Sequence, residues 1–245
     1  MQGEYIMKIV IDTHTHTLAS GHAYNTIQEM ALAAKEHGME GICFTEHAPE
    51  MPGSCSKLYF QNLKVLPRER WGIHTLFGVE LNILNKDGEI DLPQAMLPKM
   101  DIVIASVHVP CYHGEFTKEE ITQAVIRVME NPYVNVIGHP DDSRTPMDCE
   151  AIVKAAKRTG TLLEVNNSSM RPDNFRQNAK ENLKELLYYC EKYGVMITTG
   201  SDAHLDLDAG IFSNVYSVLE EYHFPEELIA TTSFEKIKPF LNRYK

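Results

Sequence analysis

The alternation of seven short apolar runs with segments of helical periodicity constrains the fold of this chain most strongly. The runs are rich in β-branched residues and lie at 8–13, 41–45, 75–81, 101–107, 134–138, 161–166 and 195–200. Strands that alternate with helices predict a parallel sheet built from strand–helix units, which is an α/β fold. The 245 residues contain no linker rich in Pro, Gly and Ser, so we expect a single domain over residues 1–245.

Helix start and stop signals support this alternation. Thr117 and Glu120 have the spacing of a capping box, ahead of an apolar helix that Pro132 ends. Further helices, each followed by a glycine suited to a left-handed cap, are predicted at 26–36 (Gly38), 148–158 (Gly160) and 179–192 (Gly194). A final helix at 234–244 is expected to pack across the exterior or the bottom of the fold.

Composition excludes several classes of protein. The formal net charge is −11, which weighs against nucleic acid as a partner. No apolar run approaches the length that spans a bilayer, and the polar start at residues 1–5 has no signal-peptide pattern, so we expect no membrane association and no secretion. The five cysteines form no C-x-x-C pair, which predicts reduced thiols and a cytoplasmic protein.

Most of the histidines lie where the predicted strands end. A parallel barrel collects its functional groups at the carboxyl ends of its strands. His14 and His16 alternate along the first strand and therefore point the same way. Two carboxylates join the histidines, one within the third strand and one after the seventh. The nine candidate ligands are His14, His16, His22, His47, Glu80, His108, His139, Asp202 and His204.

Imidazole and carboxylate groups together predict a metal site with Zn, Mn or Fe. Nine ligands exceed the needs of one four-coordinate ion, so more than one metal is implied. Each residue alone also fits a cap or a turn, and Glu80 alone fits a paired barrel carboxylate. However, a carboxylate among apolar strand residues is costly to bury unless a cation neutralises it. The joint occurrence of all nine favours the metal interpretation.

The four other histidines fit this pattern less well. His37 precedes Gly38 at the end of a predicted helix, so we expect it to be a solvated residue of the last turn. His74 and His223 flank element boundaries and are expected at the surface or in caps. His113 follows the fourth strand and is predicted to lie near enough to the mouth of the site to touch a substrate.

These motifs together resemble the PHP (polymerase and histidinol phosphatase) superfamily and, within it, the YcdX-like phosphatases. They extend over almost the whole chain, which makes the resemblance far more specific than one H-x-H pair. The matching segments are Asp12-Thr-His14-Thr-His16-Thr17, Ala19-Ser-Gly-His22-Ala-Tyr24, Thr45-Glu46-His47, Gly78-Val-Glu80-Leu-Asn82, Asp87-Gly-Glu-Ile-Asp91, Ser106-Val-His108, Gly138-His139-Pro140, Glu164-Val-Asn166-Asn167-Ser168-Ser169 and Gly200-Ser-Asp202-Ala-His204.

The resemblance implies a distorted (β/α)₇ TIM-like barrel of the PHP type with three divalent metal ions, Zn first and Mn or Fe as alternatives. Glu46 stands where the family often has Asp, which is a minor departure. The implied ligands are His14, His16, Glu80 and Asp202 for the first ion, Glu80, His108 and His139 for the second, and His22, His47 and His204 for the third.

Clustered divalent ions suit the hydrolysis of phosphate esters, because they bind phosphoryl oxygens and lower the pKa of a water molecule. We therefore expect a metal-dependent phosphoesterase that hydrolyses a small phosphorylated substrate, most simply a phosphomonoester, with a metal-bound hydroxide as the nucleophile. Arg176 is the first candidate for phosphate binding, since the segment 174–178 leads into a helix start, and Arg171 is the alternative.

Other functions remain as alternatives. Amidohydrolases also begin with H-x-H, but they commonly carry a carboxylated lysine where this chain has His108, so amide hydrolysis is disfavoured. Within the superfamily, a histidinol-phosphate phosphatase and a phosphodiesterase or nuclease are open, and monoester and diester assays would separate them. The non-enzymatic alternative is a structural or regulatory metal-binding module. The pattern leaves the oligomeric state open.

Overall fold

A computed structural model describes residues 7–244, so the polar start at residues 1–5 lies outside the described range. Nine strands in this range form two sheets, in the orders β1-β2-β4-β3 and β5-β6-β7-β8-β9. All neighbours pair in parallel except β3 with β4. The strands are β1 (Ile11–Thr15), β2 (Gly41–Phe44), β3 (Glu69–Arg70), β4 (Ile73–Phe77), β5 (Val79–Asn82), β6 (Val103–Ser106), β7 (Val136–Ile137), β8 (Leu162–Asn166) and β9 (Ile197–Gly200).

The prediction of one continuous strand at 75–81 was wrong, because Gly78 divides it into β4 and β5. A Cβ at Gly78 would lie 1.9 Å from the carbonyl oxygen of Ile102, so only glycine fits here. The amide of Gly78 still donates to the carbonyl of Phe44, while Val79 begins pairing with β6. The kink at Gly78 carries the chain from one sheet to the next. If β4 and β5 are counted as one strand position, and the short antiparallel β3 is left out, the parallel strands occupy seven positions.

The two sheets also meet at the carboxyl ends of β1 and β9. The amide of Asp202 donates to the His14 carbonyl at 2.8 Å, and the amide of His16 donates to the Ala203 carbonyl at 2.9 Å. On the other side, the Glu80 amide donates to the Glu46 carbonyl at 2.9 Å. These contacts bring the strands into the distorted (β/α)₇ arrangement that the resemblance implies and gather their carboxyl ends at one mouth.

Seven α-helices accompany the strands in the described range: α1 (Ile27–Glu36), α2 (Lys57–Asn62), α3 (Lys118–Met129), α4 (Cys149–Thr159), α5 (Ala179–Tyr193), α6 (Ser213–Tyr222) and α7 (Phe234–Ile237). The capping box predicted at Thr117 was half wrong. The Thr117 side chain accepts from the amide of Glu120, but the Glu120 carboxylate accepts from the amide of Glu115 instead of reaching back. A full capping box lies at α1, between Thr26 and Glu29.

The final helix predicted at 234–244 is much shorter in the structure. It covers only Phe234–Ile237 and continues as single 3₁₀ turns, because Pro239 has no amide hydrogen to donate. Ile237 and Leu241 pack with Ile11 and Ile104 in the inner apolar cluster. This segment therefore closes the end of the strands opposite to the mouth, which agrees with the expectation of packing at the bottom.

Two features bear on the predictions from composition. Among residues 7–244, no helix has both the length and the apolar character needed to cross a membrane. All five cysteines are free thiols, as predicted, and four of them are buried. A larger apolar cluster between the strands and the surrounding helices forms most of the core and holds the strand ends in place.

Candidate metal centre

The nine predicted ligands all lie at the carboxyl ends of the strands. β1 extends to Thr15, two residues further than predicted, so His14 lies inside the strand. Most of the nine side chains are buried, His108 and His204 are half-buried, and His22 is exposed. His14, His16 and His22 lie in β1 and the loop after it, and Glu80 lies in β5. His47, His108 and His139 follow the ends of β2, β6 and β7, respectively. Asp202 and His204 lie in the loop after β9.

Four of these side chains converge as the first predicted ligand set. The Nε2 atoms of His14 and His16 lie 3.1 Å apart. Both approach Glu80 Oε2, at 3.4 and 3.5 Å. They also approach Asp202 Oδ1, at 3.7 and 3.3 Å. Two imidazole nitrogens and two carboxylate oxygens around one point are a suitable ligand set for Zn, Mn or Fe.

Glu80 joins this set to a second one through its other oxygen. Its Oε1 lies 3.2 Å from His108 Nε2 and 2.9 Å from His139 Nε2. The two oxygens of one carboxylate therefore face two different groups of imidazoles. Glu80 could therefore hold a cation through either of its oxygens.

The third group differs in part from the predicted one. The ligand atoms of His16, His47 and His204 lie within 4.8 Å of one another. His22 contacts this group through ring stacking, with its centroid 4.9 Å from those of His47 and His204. His47 Nδ1 also lies 2.7 Å from Glu80 Oε2. The histidines of the first and third groups therefore form one continuous cluster rather than two separate sites.

Two buried atoms of the cluster have no hydrogen-bond partner, namely His47 Nδ1 and Glu80 Oε2. They lie close together but are not aligned as donor and acceptor. Buried polar atoms are normally satisfied, so these two call for a group that accepts lone pairs. The backbone supports the same conclusion, since His139 and Asp202 have φ values of 29° and 55°, a strained conformation often found at functional sites. The donor set fits divalent cations.

Burial and neighbouring charges shift the pKa values of several proposed ligands. Burial alone would raise the pKa of Glu80, but His108, His14 and His47 outweigh it and hold this pKa well below its usual range. Burial, together with His47 and His204, lowers the pKa of His16 well below its ordinary value. The same causes lower the pKa of His22 to about 4. Burial would lower the pKa of His14, but Glu164, Glu80 and Asp202 outweigh it and raise this pKa well above its ordinary value. The ionised Glu80 therefore faces neutral His16 and His22, whereas a cation that binds His14 displaces a proton.

Side chains behind the ligands orient three of the imidazoles. His14 Nδ1 lies 2.8 Å from Glu164 Oε1, and His16 Nδ1 lies 3.0 Å from Ser20 Oγ. His108 Nδ1 lies 2.7 Å from Asn82 Oδ1. Each of these contacts leaves Nε2 as the atom that faces the cluster.

Glu164 is a site residue that the sequence analysis did not single out, although it lies in a quoted motif. It is a fully buried carboxylate within β8, and its Oε2 also accepts from the amide of His139 at 2.7 Å. A Cβ at Gly200 would lie 2.1 Å from Glu164 Oε1, so this glycine makes room for the carboxylate. The signal that could have identified it was the same one that identified Glu80, a carboxylate within an apolar strand.

Arg176 lies beside the cluster but is largely engaged by the protein. Its Nη1 and Nη2 each donate to Asp202 Oδ2 at 3.0 Å, and Nη1 also donates to Ser169 Oγ at 3.0 Å. Arg171 lies further out, with Nη1 2.8 Å from Asp208 Oδ2 and Nε 3.1 Å from Asp173 Oδ1. Arg176 therefore supports the carboxylate of Asp202, while Arg171 forms part of the rim.

A pocket of about 690 Å³ opens directly over the cluster. Six of the nine predicted ligands line it, together with Arg171, Arg176 and three aspartates of the rim. The residues that the sequence analysis did not anticipate here are Arg144, Asp142 and Phe175. Their loops follow β7 and β8, where the chain passes over the mouth, so their place depends on loop conformation.

The four other histidines do not line this pocket. His37 Nδ1 lies 2.7 Å from the carbonyl oxygen of Ala209, and the ring of His74 stacks on that of Phe234 at 3.9 Å. His223 ends α6 in a left-handed conformation. His113 is exposed, and among the described residues it is not part of the pocket wall, so the expectation that it touches a substrate has no support.

Parallel strands that bring histidines and carboxylates together at their carboxyl ends define a class of metal-binding hydrolases. Comparison with known proteins identifies the family within this class. The family model of the PHP domain matches residues 12–197. The chain therefore belongs to the PHP family.

Curated relatives and solved structures agree with this assignment. The chain is 45% identical to a probable phosphatase of Acetivibrio thermocellus, over 98% of both chains. It is 46% identical to one of Caldicellulosiruptor saccharolyticus, over 96% of this chain and 97% of the relative. The fold is similar to the histidinol phosphate phosphatase of Lactococcus lactis solved with zinc, L-histidinol and phosphate, with a TM-score of 0.61, 23% identity and coverage of 88% and 94%. The protein is a phosphatase, a hydrolase of phosphoric ester bonds.

Proposed function

We propose that this protein hydrolyses small phosphomonoesters at a centre of three divalent cations, with Zn first and Mn or Fe as alternatives. The single observation that carries the proposal is the position of Glu80, whose two oxygens face two groups of imidazoles. The proposed ligands are the nine residues named above, with His16 close enough to contribute to two groups. Asp202 completes the first group and His204 the third.

The chemistry follows from this arrangement. When bound, the divalent ions would neutralise the phosphoryl oxygens and lower the pKa of a water molecule, so that a nucleophile forms at neutral pH. The protein side chains fix the geometry, since Glu164 orients His14 and Arg176 holds Asp202. Nε–H and one Nη2 proton of Arg176 have no protein acceptor among the described residues, and the side chain lines the pocket. This guanidinium can therefore also donate to a phosphate oxygen.

A monoester fits better than a nucleic acid. The net charge of −11 opposes a polyanion, and acidic side chains lie at the rim of the pocket. We also propose a cytoplasmic location, which the five free thiols support.

Two measurements on one sample test the proposal. Elemental analysis of the purified protein should show at least two equivalents of transition metal. Hydrolysis should be measured on a panel of monoesters that includes histidinol phosphate, with diesters beside them. His14→Ala and Asp202→Asn should each lower kcat/KM by roughly 10²–10³-fold, the range seen when one preorganised charged group is removed.

The control is His74→Ala, because His74 lies at the start of β4, away from the mouth. This variant should retain both metal content and activity. A preference for diesters would assign the site to phosphodiester chemistry instead. Full metal content without turnover on the whole panel would favour a metal-binding module.

A further inference from the structure

Part of the wall of the pocket over the metal centre is apolar. Met51, Val107, Val109 and Pro110 line it, as does Phe175 from the loop after β8. Phe175 is 68% exposed and Val109 is 41% exposed. Single exposed apolar residues are common, but several apolar residues in the wall of one pocket form a surface suited to an apolar ligand.

The ring of Phe175 is held in place by two cations. The guanidinium carbon of Arg144 lies 4.6 Å from the ring centroid, and that of Arg176 lies 5.6 Å from it. Arg144 is itself held by Asp142, which accepts from its Nε at 2.9 Å and from its Nη2 at 2.6 Å. An aromatic ring that is fixed before a ligand arrives loses little conformational entropy on binding.

The charges at the rim are already compensated. Among the described residues that line the pocket, each arginine has an aspartate partner, and all of these aspartates line it too. The pairs are Arg144 with Asp142 at 2.6 Å, Arg171 with Asp208 at 2.8 Å, and Arg176 with Asp202 at 3.0 Å. Asp173 adds a further negative charge beside Arg171. The rim therefore offers no surplus cation for a second anionic group of a substrate.

We propose that the pocket selects phosphomonoesters whose leaving group is uncharged and carries a planar ring, with Phe175 as the specificity-determining residue. The inference rests on the proposed function, because the metal centre holds the phosphoryl group. The leaving group then lies along the apolar part of the wall, where its ring stacks on Phe175. Bisphosphates and esters with a carboxylate on the ring meet arginines that are already paired and one more aspartate than arginine at the rim.

Two esters of primary alcohols separate ring recognition from chemistry. The leaving groups of benzyl phosphate and n-butyl phosphate are primary alcohols of similar acidity. A difference in kcat/KM between the two esters therefore reports binding of the ring. Phe175→Leu should lower kcat/KM for benzyl phosphate by about 3- to 10-fold, mainly through KM, because an aromatic pair contributes about 0.5–1.5 kcal/mol. The same variant should change n-butyl phosphate by less than about twofold, and Phe175→Tyr should retain the preference, since only the ring is required.

Phe116→Leu is the matched control. Its ring packs on Tyr112 at 5.4 Å and lies outside the pocket wall. This variant should leave kcat/KM for both esters unchanged. Because Phe175 is largely exposed, its variants should fold, which circular dichroism will verify.

The outcomes are distinguishable. If Phe175→Leu affects both esters equally, or neither, the ring inference is overturned while the phosphatase assignment stands. If 4-carboxybenzyl phosphate has a lower KM than benzyl phosphate, the requirement for an uncharged leaving group is overturned. If the metal-loaded wild-type enzyme hydrolyses no phosphomonoester, the proposed function fails, and this inference fails with it.

Discussion

Glu164 lies behind the proposed ligands, and we expect it to influence the affinity of the metal centre. Its carboxylate fixes His14 through Nδ1 and also accepts from the His139 amide, so it links ligands of two groups. Glu164→Gln keeps the shape but removes the charge that makes His14 a better ligand. We expect metal affinity to fall about 10- to 100-fold, the usual range for such partners. Competition with a chromogenic chelator measures this.

The control for Glu164 is Glu36→Gln on the exposed face of α1. It makes the same chemical change far from the mouth, so its affinity should equal that of the wild type. Equal affinities for all three proteins would contradict the role of Glu164.

Arg176 gives a second prediction at the scale of a residue. Sequence reasoning assigned it to phosphate binding, and the structure adds two hydrogen bonds to Asp202. Arg176→Lys keeps the charge but cannot reproduce this fork. We expect a higher KM for phosphate esters and, in addition, about tenfold weaker metal binding, because Asp202 loses its support. An increased KM with unchanged metal affinity would mean that Arg176 binds the substrate but does not support Asp202 as a metal ligand.

Among the helices, α1 and α3 offer a comparison of two caps. At the start of α1, the side chains of Thr26 and Glu29 each accept a hydrogen bond from the other's backbone amide. At α3 only the Thr117 side chain accepts such a bond, from the amide of Glu120. Thr26→Ala should lower the free energy of unfolding by about 1 kcal/mol, and Thr117→Ala by less, since Glu120 keeps its other partners. Urea titration measures both. A larger loss for Thr117→Ala would contradict the comparison.

Local sequence signals predicted the elements well, and they failed where distant parts of the chain decide. Periodicity and caps located the strand positions and four of the helices. The break at Gly78 depends on the Ile102 carbonyl, which no local pattern contains. The Glu120 side chain was taken for a capping partner, but the turn at Glu115 binds it instead.

The candidate site was predictable to a similar extent. The nine ligands follow from their positions at strand ends, because parallel strands bring those ends together. Which imidazoles share an ion depends on loop conformation, so the place of His16 beside His47 and His204 was not foreseen. Glu164 carries the same signal as Glu80, a carboxylate within an apolar strand, but that signal does not say that its carboxylate contacts His14 and the His139 amide. The rim formed by Arg144 and Phe175 has no pattern in the sequence that predicts it.

For the whole molecule, the metal centre should be a major source of stability. Its ligands come from six strand positions around the mouth, so bound cations connect both sheets. Ions at about 1,000 times their Kd would add about 4 kcal/mol, and removing them should lower Tm by about 10 °C in a chain of this size. Thermal unfolding with and without EDTA measures the shift.

The variant Asp202→Asn provides the control for this measurement. It weakens one ligand of the first group, so EDTA should shift its Tm by less than it shifts that of the wild type. An equal shift in both proteins would mean that the stabilising ions bind elsewhere.

The pairing of His14 with Asp202 has a consequence for the order of folding. These two residues come from near opposite ends of the chain, and their backbones meet only when β1 contacts the segment after β9. Contacts between such distant segments form late, because loop closure must come first. We therefore expect cations to bind a chain that is already nearly folded, so that they slow its unfolding and leave the rate of refolding almost unchanged.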